Sequence, residues 1–358
     1  MFVGQRFTVT DAQLDPMALR CYREINALEG KTGIKHGLPK GELKAISHYI
    51  ETILPRKIAE GTFYLNKEDT GLSRTIEYDP STKQTFIHLK RKEIKELGRG
   101  GAKTVTASIL YGKKPQYVAN SIFNITAANE REIHFIQQLK DAPGVVELIS
   151  ATTHRKAKTG EDVLQIITPL YIHGSLKSLM EKGPKLTFDE KISIMSDIFE
   201  GLGQMHDRGV AHGDIHQGNC LVGPRDVPPR RYKAVLTDLG TASNLGSNAL
   251  LEVKDVFAAG CMLYEVWHET HRLPRHWDNL NKFAHLTQNV LPPSDDNTLL
   301  LGDLGAATQR YNALQHKTLN QELSNQEMAE FLILKMMHPT QNSFVRARDA
   351  VGFLNTLA

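Results

Sequence analysis

Apolar side chains recur at helical spacing in two stretches near the start of the chain, residues 11–28 and 40–54. Asp11 is the predicted N-cap of the first helix. Pro55 is predicted to end the second helix, because proline lacks the backbone N–H that a helix interior needs. Short runs rich in β-branched and aromatic residues predict strands at 62–65, 75–78 and 85–89. Residues 1–88 are therefore expected to form a helical extension with a short hairpin, acting either as a packed cap or as a docking module.

Further along the chain the pattern predicts strands and then mainly helices. Strands are expected at 94–97, 106–110, 117–123, 145–148 and 163–168, with one helix at 129–139. Thr187 and Glu190 form a predicted capping box at the start of a long helix. The apolar face of that helix consists of Ile192, Met195, Ile198, Leu202 and Met205. Residues 270–358 are also expected to be mainly helical.

The composition is that of an ordinary globular chain, with 358 residues, 41% hydrophobic and 23% charged. A net charge of +3 is too small to argue for binding to nucleic acid. The three cysteines show no paired metal-ligand spacing, which favours reduced thiols and a cytosolic compartment. No apolar run approaches the roughly 18 residues of a transmembrane helix, and the N-terminus lacks a signal-peptide core. We therefore expect a cytoplasmic protein without a membrane span.

Candidate chemistry is concentrated in the stretch His-Gly-Asp-Ile-His-Gln-Gly-Asn at residues 212–219. Asp214 and Asn219 are five positions apart, so one side chain can address a substrate hydroxyl while the other reaches a metal ion on a phosphate. A second carboxylate, Asp238, follows an apolar strand and precedes Gly240, which allows a sharp turn. Phosphoryl transfer needs this set, namely a base or orienting carboxylate and two oxygen ligands for Mg²⁺.

These motifs resemble those of the protein-kinase superfamily, whose H-R-D-x-x-x-x-N loop appears here as H-G-D-I-H-Q-G-N and whose D-F-G appears as D-L-G. The resemblance implies a two-lobed α+β fold, with ATP and Mg²⁺ as cofactors. It divides the chain into the extension (1–88), a small sheet lobe (89–168) and a large helical lobe (169–358). It also implies roles for individual residues: Asp214 as catalytic base or hydroxyl orienter, and Asn219 and Asp238 as Mg²⁺ ligands. His216 replaces the usual loop lysine and is a candidate contact for the γ-phosphate.

The glycine-rich run at residues 98–105 is similar to a kinase phosphate loop, with Gly98, Gly100, Gly101 and Val105 as candidate nucleotide contacts. The following strand should carry a lysine for the α and β phosphates, but its position falls on Asn120 or Ser121, depending on register. Two interpretations remain open. The chain is a pseudokinase, or the cation has moved to Lys103, as in the similar loop of the with-no-lysine kinases.

The resemblance assigns further residues around the nucleotide. Glu132 is the candidate partner of the phosphate-binding lysine. Thr168 corresponds to the gatekeeper, and main-chain groups near Pro169 and Tyr171 are expected to pair with adenine. Asp255 is expected to brace the catalytic loop by hydrogen bonds rather than to perform chemistry.

The activation segment after Asp238 is short and has no A-P-E motif. Arg346 resembles the arginine that pairs with the glutamate of that motif in kinases, so its usual partner is missing. A similarly short activation segment occurs in kinase-like effectors of pathogenic bacteria. If the protein is such an effector, it is expected to be secreted into a host cell. A short segment also favours constitutive activity without loop phosphorylation.

Three functions compete at this stage. The first is an atypical Ser/Thr protein kinase of bacterial-effector type that acts on a protein substrate, including a host protein. The second is a pseudokinase that binds a partner without transferring phosphate. The third is a small-molecule phosphotransferase, because H-G-D-x-H-x-x-N is also similar to the loop of aminoglycoside and choline kinases.

Overall fold

The computed structural model describes residues 9–32, 35–89, 98–99, 103–155, 161–224, 232–246, 249–269, 298–337 and 346–357. The chain divides into two compact units. The first comprises Met1–Asn129 and Leu148–Leu170, and the second comprises Glu130–Glu147 and Tyr171–Ala358. Among the described residues, no helix is both long and apolar enough to cross a membrane.

The first unit is built on an eight-stranded antiparallel sheet with the order β1-β2-β3-β5-β6-β8-β7, where β4 pairs with β5. The strands are β1 (Tyr64–Leu65), β2 (Ile76–Asp79), β3 (Gln84–His88), β4 (Gly98–Arg99), β5 (Lys103–Tyr111), β6 (Gln116–Asn124), β7 (Ser150–Arg155) and β8 (Asp162–Pro169). The hairpin predicted for the extension therefore forms part of the same sheet as the later strands.

The two ends of this sheet curl towards each other, so that the sheet resembles a partial barrel. The Ser150 hydroxyl on β7 donates to Asp79 Oδ2 on β2 at 2.7 Å. Beside it, the Thr152 hydroxyl donates to Glu77 Oε1 at 2.7 Å. These contacts join strands at opposite ends of the pairing order, and they enclose the inner face of the sheet.

Helices of the extension cover part of the outer face of the sheet. They are α1 (Pro16–Thr32), α2 (Lys40–Thr52), α3 (Leu54–Ala59) and α4 (Lys67–Thr70). Their apolar residues share one core with the sheet, which includes Cys21, Ile25, Leu43, Ile46, Ile76, Ile87 and Ile109. Burying these side chains, at about 1.5–3 kcal/mol each, fixes the extension to the sheet.

The structure corrects both predicted helix boundaries in the extension. Asp11 does not cap α1, because a short 3₁₀ turn intervenes and Asp15 accepts from the N–H groups of Met17 and Ala18 at 2.8 and 3.0 Å. Asp11 forms an ion pair with Lys44 instead. Pro55 lies in the first turn of α3, where its missing N–H is no loss, so it starts a helix rather than only ending one.

The second unit is mainly helical, and its strands form two small antiparallel pairs. Its helices are α5 (Ala127–Gln138), which begins in the first unit, α6 (Leu176–Lys182), α7 (Phe188–Asp207), α8 (Ala249–His268), α9 (Thr298–Leu319), α10 (Asn325–Met336) and α11 (Ala347–Leu354). Its strands are β9 (Val210–Ala211), β10 (Cys220–Pro224), β11 (Tyr232–Leu236) and β12 (Ser243–Asn244). β10 pairs with β11, and β12 with β9.

Helix α7 is the centre of this unit and follows the sequence prediction closely. The Thr187–Glu190 capping box is present at its start. The five predicted apolar residues of its buried face are all at most 1% exposed: Ile192, Met195, Ile198, Leu202 and Met205. Gly201 lets a neighbouring segment approach, because a Cβ there would lie 2.2 Å from the Gly144 carbonyl oxygen.

The predicted strand at 145–148 is wrong, and the one at 94–97 lies outside the described residues. Val145 makes only an isolated parallel bridge to Leu236. Its neighbours complete this contact, since Val146 donates to the Leu236 carbonyl at 2.9 Å and Leu236 donates to the Gly144 carbonyl at 2.8 Å. An apolar run can therefore be buried by a two-residue bridge without forming a strand, and the expected strand forms later, as β7.

Candidate active site

Asp214 lies in the exposed centre of the predicted catalytic loop, where two neighbours hold it. The Asn219 side-chain amide donates to Asp214 Oδ2 at 3.1 Å and to its main-chain oxygen at 3.0 Å. On the other side, His216 Nε2 lies 3.4 Å from Asp214 Oδ2. The Gly218 N–H donates to His216 Nδ1 at 2.9 Å, so the proton of the neutral ring is on Nε2 and faces Asp214.

The hydrogen bond from His216 lowers the pKa of Asp214, and the Asn219 amide acts in the same direction, against the effect of burial. The carboxylate side chain is half exposed, so a substrate hydroxyl has access to it. An ionised, accessible carboxylate of this kind can accept or orient a hydroxyl proton over a wide range of pH.

Replacing His216 with alanine is expected to raise the pKa of Asp214 towards its ordinary value. Because the folded-state pKa is lowered, the charged form of Asp214 persists above that pKa and is lost as the pH falls through it. The acidic limb of the kcat/KM profile should therefore move to higher pH in His216→Ala, and a carboxyl-¹³C NMR titration of Asp214 should show the same shift. His316→Ala, at a surface position on α9, is the control. Coincident acidic limbs for wild type and His216→Ala would contradict the prediction.

Asp255 on α8 holds the backbone of the loop, as predicted. Its carboxylate is 2% exposed and accepts from the N–H groups of His212 and Gly213 at 2.7 and 2.9 Å. His206 Nε2, near the end of α7, lies 3.1 Å from the same carboxylate. One buried acid therefore joins two helices to the start of the catalytic loop.

His212 is a structural residue, fully buried and bonded through both ring nitrogens. Its Nε2 donates to the Thr237 carbonyl at 3.0 Å, and its Nδ1 accepts from the Asp214 N–H at 3.3 Å. Burial lowers the pKa of this ring, so it remains neutral. It links the catalytic loop to the residue that precedes Asp238.

Gly213 replaces the arginine of the H-R-D motif, and the structure shows a reason for it. Its φ is +81°, in the region that favours glycine, and a Cβ would lie 2.9 Å from the Thr241 carbonyl oxygen. The Thr241 hydroxyl also donates to the His212 carbonyl at 3.1 Å. Thr241 is thus a contact to the loop that the sequence pattern did not identify, because only tertiary packing brings it there.

The two candidate metal ligands lie at the same end of the β10–β11 hairpin. Asn219 immediately precedes β10, and Asp238 follows β11 by two residues. The Thr237 N–H donates to the Asn219 carbonyl at 3.0 Å and extends the pairing to this end. Local strand pairing therefore places both residues at one end of the hairpin, and no long-range packing is needed for it.

The donor atoms at this end suit a magnesium ion. The Asn219 amide nitrogen is used by Asp214, which leaves the amide oxygen as the ligand. Within the described part of the chain, the Asp238 carboxylate makes no hydrogen bond or ion pair, although this residue is held at φ +64°. Strained backbone that presents an unpaired carboxylate is characteristic of functional sites. Two hard oxygen ligands together with phosphate oxygens are the usual environment of Mg²⁺ in such enzymes.

In the first unit, strand register decides which residues share a face with the candidate gatekeeper. Ala119 on β6 pairs with Thr168 on β8, and Ser121 pairs with Val105 on β5. Side chains alternate along a strand, so these four residues share one face, while Asn120 belongs to the other. By register, Ser121 rather than Asn120 takes the place of the missing lysine.

Asn120 is therefore corrected as a nucleotide contact. Its side chain is 2% exposed and its Nδ2 lies 2.9 Å from His88 Nδ1, inside the curled sheet. His88 Nε2 in turn contacts Glu77 Oε2 at 2.8 Å. Glu77 also bonds to Thr152 and Gln165. Burial acts to raise the pKa of Glu77, but the hydrogen bond from His88, together with those from Thr152 and Gln165, lowers it overall. Asn120 thus belongs to a buried polar cluster that joins the extension to the later strands.

The remaining predicted site residues are placed only in part. Gly98 lies on β4 and Lys103 is the first residue of β5, whereas Gly100 and Gly101 lie outside the described residues. Glu132 is 4% exposed on α5. Its pairing with Lys103 remains a prediction.

The hinge residues fall at the junction of the two units. Pro169 ends β8 and belongs to the first unit, while Tyr171 belongs to the second. Tyr171 packs beside Gly223, where an added Cβ would lie 3.1 Å from its ring. Burial raises the pKa of Tyr171 to about 12, so its hydroxyl stays protonated. The adenine contacts of Pro169 and Tyr171 remain predictions.

Comparisons with known proteins agree with this architecture. The sequence model of the protein kinase domain matches residues 91–254. The chain is 22% identical over 235 residues to the dual serine/threonine and tyrosine protein kinases of Xenopus laevis and Homo sapiens, a match that covers 59% of this chain and 24% of each relative. It is also 34% identical over 80 residues to retinal guanylyl cyclase 1 of Rattus norvegicus, which covers 22% of this chain and 7% of that protein.

The chain thus spans a quarter or less of the length of these curated relatives. The matched region begins just before β4 and ends within α8, so it includes the glycine-rich run, the catalytic loop and Asp238. The extension before it, with its helices and hairpin, lies outside the match. Residues 91–254 thus match the sequence model of the protein kinase domain, and the described elements of the chain are an antiparallel sheet and a mainly helical unit.

Proposed function

We propose that this chain transfers the γ-phosphate of Mg²⁺–ATP to serine or threonine hydroxyls of a protein substrate. The observation that carries the proposal is the common placement of Asp214, Asn219 and Asp238. The first two are joined by a hydrogen bond, and the last two lie at one end of a hairpin. A scaffold that only bound a partner would have no physical need to keep the Asp238 carboxylate exposed and unpaired at the same end of the hairpin as Asn219.

In this mechanism Asp214 remains ionised, and it orients the substrate hydroxyl and takes its proton as the phosphate transfers. The amide of Asn219 keeps the Asp214 carboxylate in place. The oxygens of Asn219 and Asp238 would hold the magnesium ion, which neutralises phosphate charge when bound. His212 and Asp255 fix the loop backbone, so little reorganisation is needed at the moment of reaction.

The phosphate-binding cation is assigned to Lys103. Lys103 is two residues before Val105 on β5, and Val105 pairs with Ser121. Lys103 is therefore at a diagonal register position to the residue that replaces the usual lysine. A cation supplied from this strand would retain a charge-assisted hydrogen bond to phosphate worth about 1.5–3 kcal/mol.

The proposal extends to regulation and setting. Only a 3₁₀ turn and the two-residue strand β12 are described between Asp238 and the start of α8 at Ala249. Such a short segment leaves little to be ordered by phosphorylation, which favours constitutive activity. We also propose that the protein is a bacterial effector that acts on a host protein. This part of the proposal rests on the short activation segment, which is similar to that of kinase-like effectors.

The test combines removal of Lys103 with a new lysine on β6. Lys103→Ala is expected to lower radiolabelled phosphate transfer by at least about tenfold, since 1.4 kcal/mol corresponds to a factor of ten. Adding Ser121→Lys to this variant should recover part of the activity, because the new cation would be on the face of Thr168. Asn120→Lys should give no recovery, and it should lower the free energy of unfolding by about 3 kcal/mol, since it buries an unpaired charge.

Generic protein and small alcohol substrates should be offered to each variant. Transfer to alcohols alone would favour a small-molecule phosphotransferase. If no variant transferred phosphate at millimolar Mg²⁺–ATP, the pseudokinase alternative would replace the proposal. Recovery by Asn120→Lys rather than by Ser121→Lys would show that the register argument is wrong.

A further inference from the structure

A cavity of about 240 Å³ lies in the helical unit, where the end of α7 and the first turns of α8 and α11 meet. Its lining includes His206, Asp207, Glu252, Arg346 and Arg348. None of these residues belongs to the candidate active site, but His206 contacts Asp255, which braces the catalytic loop. The lining offers both hydrogen-bond acceptors and hydrogen-bond donors.

Two of the lining residues, His206 and Glu252, offer hydrogen-bond acceptors. The His206 side chain is 6% exposed, and its Nε2 contacts Asp255 at 3.1 Å, which leaves Nδ1 as the acceptor of the ring. Among the described residues, Nδ1 has no hydrogen-bond partner. Glu252 Oε1 lies 3.9 Å from it, too far for a hydrogen bond. Two acceptors therefore stand side by side, and a buried polar atom without a partner is rare enough to indicate a missing donor.

Other parts of the lining offer donors and positive charge. Arg346 is the exposed N-cap of α11 and, in the described part of the chain, it forms no ion pair. Its usual partner in the superfamily, the glutamate of the A-P-E motif, is absent from this sequence. The N–H groups of Ala347 and Arg348, in the first turn of the eight-residue helix α11, have no carbonyl partner within the helix. Arg348 itself is paired with Asp207.

A ligand for this cavity must donate a hydrogen bond to the acceptors and carry negative oxygens for the donors. The hydrogen phosphate ion has both features near neutral pH, because its P–OH group donates and its remaining oxygens accept. Sulfate has the same shape but no proton to donate. We infer that this cavity is a binding site for hydrogen phosphate, with the P–OH directed at His206 and Glu252 and the anionic oxygens directed at Arg346 and the start of α11.

Isothermal titration of the full chain with inorganic phosphate and with sulfate, at pH 7.5 and constant ionic strength, tests the inference. We expect one saturable site that prefers phosphate over sulfate by at least about tenfold, because sulfate has no proton to donate to either acceptor. Arg346→Gln should weaken phosphate binding by about tenfold, through loss of a charge-assisted hydrogen bond. Arg56→Gln, an exposed arginine in the first unit, is the matched control and should bind as wild type does.

Glu252→Gln gives a selectivity readout that a general loss of charge would not give. The new amide can donate as well as accept, so the phosphate-to-sulfate ratio should fall and sulfate should bind more tightly than it does to wild type. Lys103→Ala should leave phosphate binding unchanged, which separates this site from the phosphate loop. Equal affinities for the two anions in wild type would overturn the inference. So would phosphate binding that survives Arg346→Gln or is lost in Lys103→Ala.

Discussion

Asp238→Asn is expected to lower kcat/KM for phosphate transfer by about a thousandfold, while it changes the free energy of unfolding by less than about 0.5 kcal/mol. The loss follows from the removal of one carboxylate ligand, and metal stabilisation of transferring phosphate contributes several kcal/mol to lowering the barrier. Stability is preserved because asparagine, like aspartate, tolerates the left-handed backbone found at this position. Steady-state kinetics and urea unfolding measure the two quantities.

Asp141→Asn is the matched control for this substitution. Asp141 is also exposed and has almost the same positive φ, 63° against 64° for Asp238. The exchange there alters the same chemical group in the same backbone conformation, but outside the candidate site, so activity and stability should both remain as in wild type. A wild-type rate in Asp238→Asn would refute the assignment of Asp238 as a metal ligand.

Asp255→Ala is expected to lower the free energy of unfolding by about 3 kcal/mol. Two backbone N–H groups and a histidine ring would lose their common acceptor, and a buried donor without a partner costs about 1–3 kcal/mol. Because those N–H groups belong to His212 and Gly213, the catalytic loop should also lose its fixed geometry. We therefore expect kcat to fall at least about tenfold, even at temperatures where the variant remains folded.

Asp207→Ala provides the comparison for this second prediction. Asp207 also carries a carboxylate in the second unit, but it is more exposed and pairs with Arg348 near the surface. Surface ion pairs contribute only about 0–1 kcal/mol, so this substitution should have a small effect on unfolding. Similar losses of stability in Asp207→Ala and Asp255→Ala, measured by chemical denaturation, would show that the buried carboxylate does not brace the loop.

The sequence was most informative where local rules decide the structure. The Thr187–Glu190 capping box and the apolar face of α7 were predicted because they depend on side chains three or four positions apart. Asn219 and Asp238 were predicted as magnesium ligands from the family resemblance, and the structure places both residues at the same end of one hairpin. The prediction that Asp255 braces the catalytic loop came from the family resemblance, since its hydrogen bonds span more than forty positions.

Predictions failed where more than one local solution was available. Asp11 and Asp15 are both competent caps, and only the structure shows that Asp15 caps α1 while Asp11 lies in a separate 3₁₀ turn and pairs with Lys44. The run at 145–148 has a sequence that suits a strand, but in the structure it forms only an isolated bridge to β11. Pro55 both follows one helix and starts another, and composition alone does not distinguish these outcomes.

The sequence by itself predicted a catalytic loop with two candidate oxygen ligands, and it determined that the expected strand has no lysine at the usual position. Tertiary structure alone decided which neighbouring residue replaces that lysine. Asn120 and Ser121 are adjacent, and a shift of one residue in register exchanges the faces they occupy. Pairing with β5 and β8 fixed this register and turned Asn120 towards Glu77 and His88. These partners come from a hairpin more than thirty residues earlier, so no local pattern could reveal them.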